Sequence, residues 1–136
     1  MGNSPNLKLC EAIECADIEL TEKILDQYPN IIDEAFNSDT KMNPIVIATW
    51  RGYLTIVKNL VKRGADVDVM INGGHRPVFW CAIRDRYEIL EYLLENTKAD
   101  IFRADMQGHT PLDHAITNGN YECAILLKRK GLHPKS

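Results

Sequence analysis

The sequence predicts an all-α fold in which helical hairpins stack as a solenoid, and three observations predict it. Segments that begin at Asn43, Arg76 and Thr110 align with one another at steps of 33 and 34 residues. A period in this range is typical of stacked repeats. Each segment has a proline directly after its first residue, and the later half of each carries apolar residues at helical spacing.

The first helix of each repeat is predicted to begin at the proline, because proline fits the first helical position. Asn43 and Thr110 are predicted N-caps, whose side-chain oxygens accept a backbone N–H of the first turn. Arg76 cannot cap in this way, which is expected to cost the middle helix about 1 kcal/mol. Small residues follow where helices of adjacent repeats must approach closely, since a larger side chain would overpack them. The prolines and small residues that keep one step are Pro44, Pro77, Pro111, Ala48, Cys81 and Ala115.

A turn and a second helix complete each repeat. Gly52 and Gly119 mark the turn, because glycine readily adopts the left-handed conformation that ends a helix, and Asp85 takes this place in the middle repeat. The second helices are predicted near Leu54–Lys62, Glu88–Glu95 and Tyr121–Arg129. Their apolar residues form one face, which is expected to pack on neighbouring repeats.

The three segments resemble the ankyrin repeat, whose signature is T-P-L-H-x-A. The match is nearly complete in "TPLDHA" (110–115), weaker in "NPIVIA" (43–48) and weakest in "RPVFWC" (76–81). The resemblance implies an α-solenoid of helix–turn–helix units with β-hairpin-like fingers. Asp113 stands where the family usually has a histidine that supports a hydrogen-bond network at the turn, so this network is not expected in the last repeat. Phe79 occupies the same place in the middle repeat, where apolar packing is expected to replace the hydrogen bond.

The segment from Leu9 to Asp33 has the outline of two helices without the Thr-Pro start or the glycine, and it is interpreted as a divergent first repeat. The chain is therefore predicted to be a single ankyrin-repeat domain over residues 1–136. Its repeats are expected at about 7–37, 38–70, 71–104 and 105–136.

Ankyrin stacks bind other proteins, so the resemblance implies a partner-binding groove formed by finger tips and exposed first-helix positions. Trp50 is the most informative of these residues, and with Arg51 and Arg84 it is the first choice for an anchor, since Trp and Arg are enriched at binding hot spots. Trp80 and Phe79 are instead expected to pack between repeats. The predicted partner-binding residues are Asp39, Thr40, Met42, Trp50, Arg51, Asn72, His75, Ile83, Arg84, Met106, Gln107, His109, Thr117 and Asn118.

Charge favours a protein partner over a nucleic acid. The net charge is −3 and the sequence pI is about 5.8, which supplies little charge to neutralise phosphates. Residues 1–38 hold 8 acidic and 2 basic side chains, whereas residues 39–136 hold 11 acidic and 14 basic ones. With arginines near the centre of the groove, the expected partner is an acidic or mixed-charge peptide.

The cluster of His109, Asp113 and His114 raises the alternative of a metal or acid–base site. Consecutive residues on a helix point about 100° apart, so Asp113 and His114 are not expected to share a ligand. No nucleophile elbow, P-loop or H-E-x-x-H motif occurs in the sequence. The sequence therefore predicts no enzyme, no metal site, no cofactor and no small-molecule substrate.

The remaining expectations concern context. Four cysteines without a C-x-x-C pair favour reduced thiols in the cytoplasm or nucleus, and no apolar run approaches the roughly 20 residues of a membrane span. The chain is expected to be a monomer that acts as an adaptor, inhibitor or scaffold. The alternatives are a fragment of a larger multidomain regulatory protein and, more remotely, a nucleic-acid-associated protein.

Overall fold

The computed structural model describes residues 4–36, 42–71 and 73–131, and within these ranges it contains α-helices and no β-strand. A short 3₁₀ helix spans Pro29–Ile31, and one isolated antiparallel bridge joins Ile71 to His75. The described helices are α1 (Pro5–Glu14), α2 (Ile18–Gln27), α3 (Pro44–Arg51), α4 (Leu54–Lys62), α5 (Pro77–Arg84), α6 (Tyr87–Asn96), α7 (Pro111–Thr117) and α8 (Tyr121–Arg129).

The predicted helix bounds are confirmed closely. The three first helices begin at the predicted prolines, and α4 and α8 have the predicted limits. The middle second helix is one residue longer at each end than Glu88–Glu95. The chain divides into two compact units, Met1–Asp66 (the first unit) and Val67–Ser136 (the second unit). Each unit holds two helical hairpins, whereas the prediction of one domain over residues 1–136 remains a prediction.

In the first unit, α1 packs against α2 and α3, and α4 packs against α2 and α3. Leu9 and Ile13 of α1 and Leu60 of α4 have no exposed surface. Burying a side chain of this size contributes about 1.5–3 kcal/mol. Polar contacts join the second helices, since Asn59 Nδ2 donates to Glu22 Oε2 at 2.9 Å. The two hairpins are therefore stacked through both their first and their second helices.

The first hairpin starts earlier than its outline suggests. Helix α1 begins at Pro5, and Ser4 Oγ accepts a hydrogen bond from Leu7 N at 3.2 Å. Ser4 and Pro5 thus perform the roles that Thr110 and Pro111 perform in the last repeat, so this hairpin does have a cap-proline start. Ala16 has a φ of 55° at the turn where Gly52 and Gly119 occur in two other repeats and Asp85 in the third.

In the second unit, α5 packs on α7 and α6 packs on α8. Phe79 is fully buried between the hairpins, as predicted, while Trp80 is only half-buried. Cys81 and Ala115 are also fully buried, which agrees with the expectation that small residues line the close approach of helices. Burial raises the pKa of the Cys81 thiol well above its usual value, so this cysteine is a packing residue.

The caps differ between repeats as the sequence predicts. Asn43 Oδ1 accepts from Val46 N at 3.2 Å, and Thr110 forms a reciprocal capping box with Asp113. Arg76 makes no side-chain cap hydrogen bond at the start of α5. Asp85 ends α5 in the left-handed conformation with a φ of 58°, a conformation that suits glycine better. Helix α5 therefore has weaker local signals at both ends than its neighbours.

Candidate functional site

Most of the predicted partner-binding residues lie on the surface. Asp39, Thr40 and Asn72 lie outside the described residues. Three others are half-buried, namely Met42, His75 and Ile83. Those that are exposed are Trp50, Arg51, Arg84, Met106, Gln107, His109, Thr117 and Asn118.

In the first unit, Trp50 and Arg51 end helix α3 directly before Gly52, whose φ of 82° turns the chain. The Trp50 side chain is 37% exposed. Arg51 forms a bidentate ion pair with Glu14, with Nη2 at 2.7 Å from Oε2 and Nε at 3.1 Å from Oε1. Part of the Arg51 charge is thus engaged inside its own unit, and Trp50 is the stronger anchor of the two.

In the second unit, two neighbouring turns carry several of the predicted residues. The first turn runs from Ile71 to His75 (the His75 turn) and is closed by a hydrogen bond from Ile71 N to His75 O at 3.0 Å. The second runs from Asp105 to His109 (the His109 turn) and is closed by a hydrogen bond from Asp105 N to His109 O at 2.8 Å. Met106 N donates to Gly73 O at 3.0 Å, which ties the two turns together. The Met106 side chain is 79% exposed at this junction.

The two turns approach so closely that glycine is required between them. Gly74 has a φ of 82°, and a Cβ atom built on it would lie 3.1 Å from Met106 N and 3.4 Å from Asp105 Cα. Both contacts involve backbone atoms, which cannot rotate away. Gly74 therefore permits the close packing of one turn on the next, whereas a Cβ atom on Gly73 would meet only the His75 ring of its own turn.

Asp105 lies at the centre of this region, with a side chain that is 1% exposed. Its Oδ2 atom is 2.8 Å from His114 Nε2 and 3.1 Å from His75 Nε2. Its Oδ1 atom accepts from the backbone N–H groups of Gln107 at 3.0 Å and His109 at 2.9 Å. Burial acts to raise the pKa of this carboxyl, but the four hydrogen bonds outweigh it and hold the pKa of Asp105 well below its usual value.

Aromatic rings surround the carboxylate. The His75 ring lies edge-on to Phe79 and Trp80, each at 5.4 Å between centroids. The His114 ring is 5.7 Å from both His75 and His109. A buried charge between two imidazoles and an apolar ring cluster fixes the His75 turn, the His109 turn and α7 relative to one another.

The structure gives Asp113 and His114, two of the three residues that the sequence clustered, different hydrogen-bond partners. Asp113 Oδ2 accepts from Thr110 N at 2.9 Å in the capping box, whereas His114 turns to Asp105. The expectation that Asp113 and His114 face different partners is therefore confirmed. Among the described residues, the group able to offer three converging ligand atoms is instead His75, Asp105 and His114. This group could not be recognised in the sequence because its two histidines are 39 positions apart. The only local signal for Asp105 is its place at the start of the turn sequence "DMQGHTPL" (105–112).

None of the helices described, from α1 to α8, combines the length and the apolar character needed to cross a bilayer.

Comparison with known proteins finds similarity over most of the chain. Alpha-latrocrustotoxin-Lt1a of Latrodectus tredecimguttatus is 29% identical over 126 residues, which are 92% of this chain and 8% of that protein. Alpha-latroinsectotoxin-Lt1a of the same species is 30% identical over 115 residues, 84% of this chain and 8% of that protein.

Ankyrin repeat and SOCS box protein 16 of Homo sapiens is 30% identical over 89 residues, 65% of this chain and 19% of that protein. The chain thus spans less than a fifth of the length of each of these relatives. The family model described as "Ankyrin repeats (3 copies)" matches residues 9–105 and 45–136. This match agrees with the repeated helical hairpins and confirms the all-α ankyrin-repeat solenoid as the fold class. The chain belongs to the ankyrin repeat family.

Proposed function

We propose that this chain is a non-catalytic module that binds a segment of another protein on the exposed first-helix and turn residues of its units. Ankyrin repeats generally mediate protein–protein interaction, and the family is generally non-catalytic. The observation that carries the proposal for the second unit is the junction of the His75 and His109 turns. It presents the strongly exposed Met106 on a backbone that hydrogen bonds hold in place.

A rigid surface with exposed large side chains suits binding because little conformational entropy is lost on association. Met106 lies beside Gln107 and His109, which are also exposed, and the half-buried Ile83 and exposed Arg84 end helix α5 in the same unit. In the first unit, the exposed Trp50 offers a separate aromatic anchor. The predicted residues of each unit thus include one large side chain suited to a hot spot.

The charge of the second unit supports a protein segment rather than a nucleic acid. Residues 67–136 hold nine acidic and nine basic side chains, so the unit has no excess of positive charge for phosphates. A partner segment with an acidic residue near Arg84 fits this pattern, since complementary charge raises selectivity. The same proposal includes a role as adaptor, inhibitor or scaffold. It also includes action as a monomer and a location in the cytoplasm or nucleus. The four free thiols support an intracellular location.

The test is affinity capture from lysate with the wild-type chain and two separate variants, quantified by mass spectrometry. The variants are Trp50→Ala for the first unit and Arg84→Glu with Met106→Ser for the second. The matched control is Tyr121→Ala, which removes a 67% exposed aromatic residue of α8 that lies outside the predicted surface. Some proteins should be captured in an amount that falls at least tenfold with a surface variant and is unchanged with the control. These proteins are then purified, and their binding to the chain is titrated directly.

A tenfold loss corresponds to about 1.4 kcal/mol of binding free energy, which a hot-spot residue readily supplies. Equal melting temperatures of all four chains show that the loss arises at the surface. Capture that no surface variant reduces, or that Tyr121→Ala reduces equally, would reject these surfaces as the binding site.

A further inference from the structure

One ligand atom from each of His75, Asp105 and His114 lies within 4.8 Å of the other two. The three side chains come from the His75 turn, the His109 turn and helix α7, so only the folded second unit brings them together. The geometry points to a binding site for a divalent transition-metal ion, with Zn²⁺ as the ion that the donor set suits best. The inference does not depend on the proposed binding of a protein partner, although His75 is also one of the predicted partner-binding residues.

The donor chemistry suits zinc. Two imidazole nitrogens and one carboxylate oxygen form a set of three protein ligands, which leaves a fourth tetrahedral position for water. Zinc bonds of about 2.0–2.2 Å place neighbouring ligand atoms roughly 3.3 Å apart. The separations from Asp105 Oδ2 to His114 Nε2 and His75 Nε2, 2.8 and 3.1 Å, are already near that value.

The widest separation in the group, up to 4.8 Å, must shorten by roughly 1.5 Å for all three atoms to reach one ion. The two imidazoles can rotate for this, because their side chains are 23% and 20% exposed. Asp105 itself does not need to move. Its other oxygen is held by the backbone N–H groups of Gln107 and His109, which orient the carboxylate as outer partners orient metal ligands.

Protons compete with the ion for the same atoms. In the hydrogen-bonded arrangement each Nε2 carries the proton that Asp105 Oδ2 accepts, whereas an ion needs the lone pair of that nitrogen. On binding, a neutral ring therefore exchanges its Nε2 proton for one on Nδ1 through solvent, whereas a ring protonated at both nitrogens releases its Nε2 proton to water. The ion reaches the site from the side of the two partly exposed imidazoles, since the carboxylate lies beneath them with 1% exposure.

The test titrates Zn²⁺ into the full chain by calorimetry and Co²⁺ by visible absorption. His75→Gln and His114→Gln are the informative variants, because a glutamine amide still donates a hydrogen bond to Asp105 but is a poor ligand. His109→Gln and His133→Gln are matched controls that remove the other two imidazoles of the chain. Cys15→Ser removes the exposed thiol as a competing ligand.

The proposal predicts one ion per wild-type chain and binding at least about 10-fold weaker in His75→Gln and in His114→Gln. The three control variants should bind as the wild type does, and the Co²⁺ spectrum should lack a thiolate charge-transfer band. Imidazole ¹H–¹⁵N spectra of the wild type provide a readout that needs no variant, because added Zn²⁺ should shift His75 and His114. Absence of saturable binding, equal binding by His114→Gln, or shifts confined to His109 or His133 would overturn the site.

Discussion

Helices α5 and α7 occupy equivalent positions in neighbouring repeats of the second unit, yet they are stabilised differently. Helix α7 has a complete local start, in which Thr110 and Asp113 exchange hydrogen bonds. Helix α5 has no side-chain cap at Arg76 and ends at Asp85 with a positive φ. Its residues Phe79 and Cys81 are fully buried, and His75 just before it is bonded to Asp105. Packing and a long-range hydrogen bond thus replace the local signals that α5 lacks.

The largest expected effect concerns thiols that the two hairpins enclose. The Cys123 thiol of α8 donates to Cys81 O at 3.7 Å. Burial of this thiol is the largest cause that raises the pKa of Cys123 to about 12, and the nearby negative charge of Asp85 is the next. Only the thiolate reacts and Cys123 has no exposed surface, so at a pH near 8 Cys123 should react with a disulfide reagent at least about a hundredfold more slowly than the exposed Cys15. Timed labelling followed by peptide mass spectrometry measures both rates. Equal rates in the folded chain would show that the interior of the second unit is open.

The next largest effect is expected at Phe79, the buried ring by which α5 packs in the second unit. Phe79→Ala removes a fully buried ring and leaves a cavity, so the free energy of unfolding should fall by about 3–5 kcal/mol. Urea denaturation measures it. The exposed Tyr121 provides the control, since Tyr121→Ala should change stability by less than about 0.5 kcal/mol. A loss below about 1 kcal/mol for Phe79→Ala would contradict the dependence of α5 on packing.

The hydrogen bonds of Asp105 are expected to rank third. Asp105→Ala leaves the donors of His75 and His114 and two backbone N–H groups without their acceptor, which should cost about 2–3 kcal/mol. Asp105→Asn keeps an acceptor for the backbone groups and should lose less. Urea denaturation in the presence of a chelator compares the two, and the chelator excludes any contribution from metal. If both variants are as stable as the wild type, the network does not hold the turns.

The smallest effect is expected from substitutions at the first residues of α7 and α5, which differ in their caps. Thr110→Ala removes the cap of α7 and should lower stability by about 1 kcal/mol. Arg76→Thr gives α5 the cap that it lacks and should raise stability by up to about 1 kcal/mol, since it also removes a buried guanidinium whose Nη1 has no hydrogen-bond partner. Thermal and urea unfolding of the two variants measure the expected loss of stability in Thr110→Ala and the expected gain in Arg76→Thr. A destabilised Arg76→Thr chain would show that the arginine side chain itself packs α5.

The helix starts could be predicted because their causes are local. A cap residue followed by proline marks Asn43 and Thr110 in the sequence, and the helices begin there. Ser4 and Pro5 carry the same signal, but they lie 39 residues before Pro44, outside the repeat period, and they precede the segment from Leu9 to Asp33 that is interpreted as the first repeat. A cap residue followed by proline therefore marks the start of α1 even though it does not obey the repeat period.

The histidine–carboxylate group could not be predicted because its cause is tertiary. His75 was expected on the binding surface, and the structure places it half-buried against Asp105. Nothing in the spacing of His75 and His114 indicates that they share one acceptor. The exposed positions of Trp50 and Met106 followed from the repeat alignment, whereas the ion pair of Arg51 with Glu14 required the fold.

The hydrogen bond from Met106 N to Gly73 O has a consequence for how the second unit meets other molecules. Two loop tips that share a backbone bond lose their independent motions when the chain folds, before any ligand arrives. A molecule that touches both tips then has less disorder to remove, so it dissociates more slowly than the same contacts on separate loops would allow.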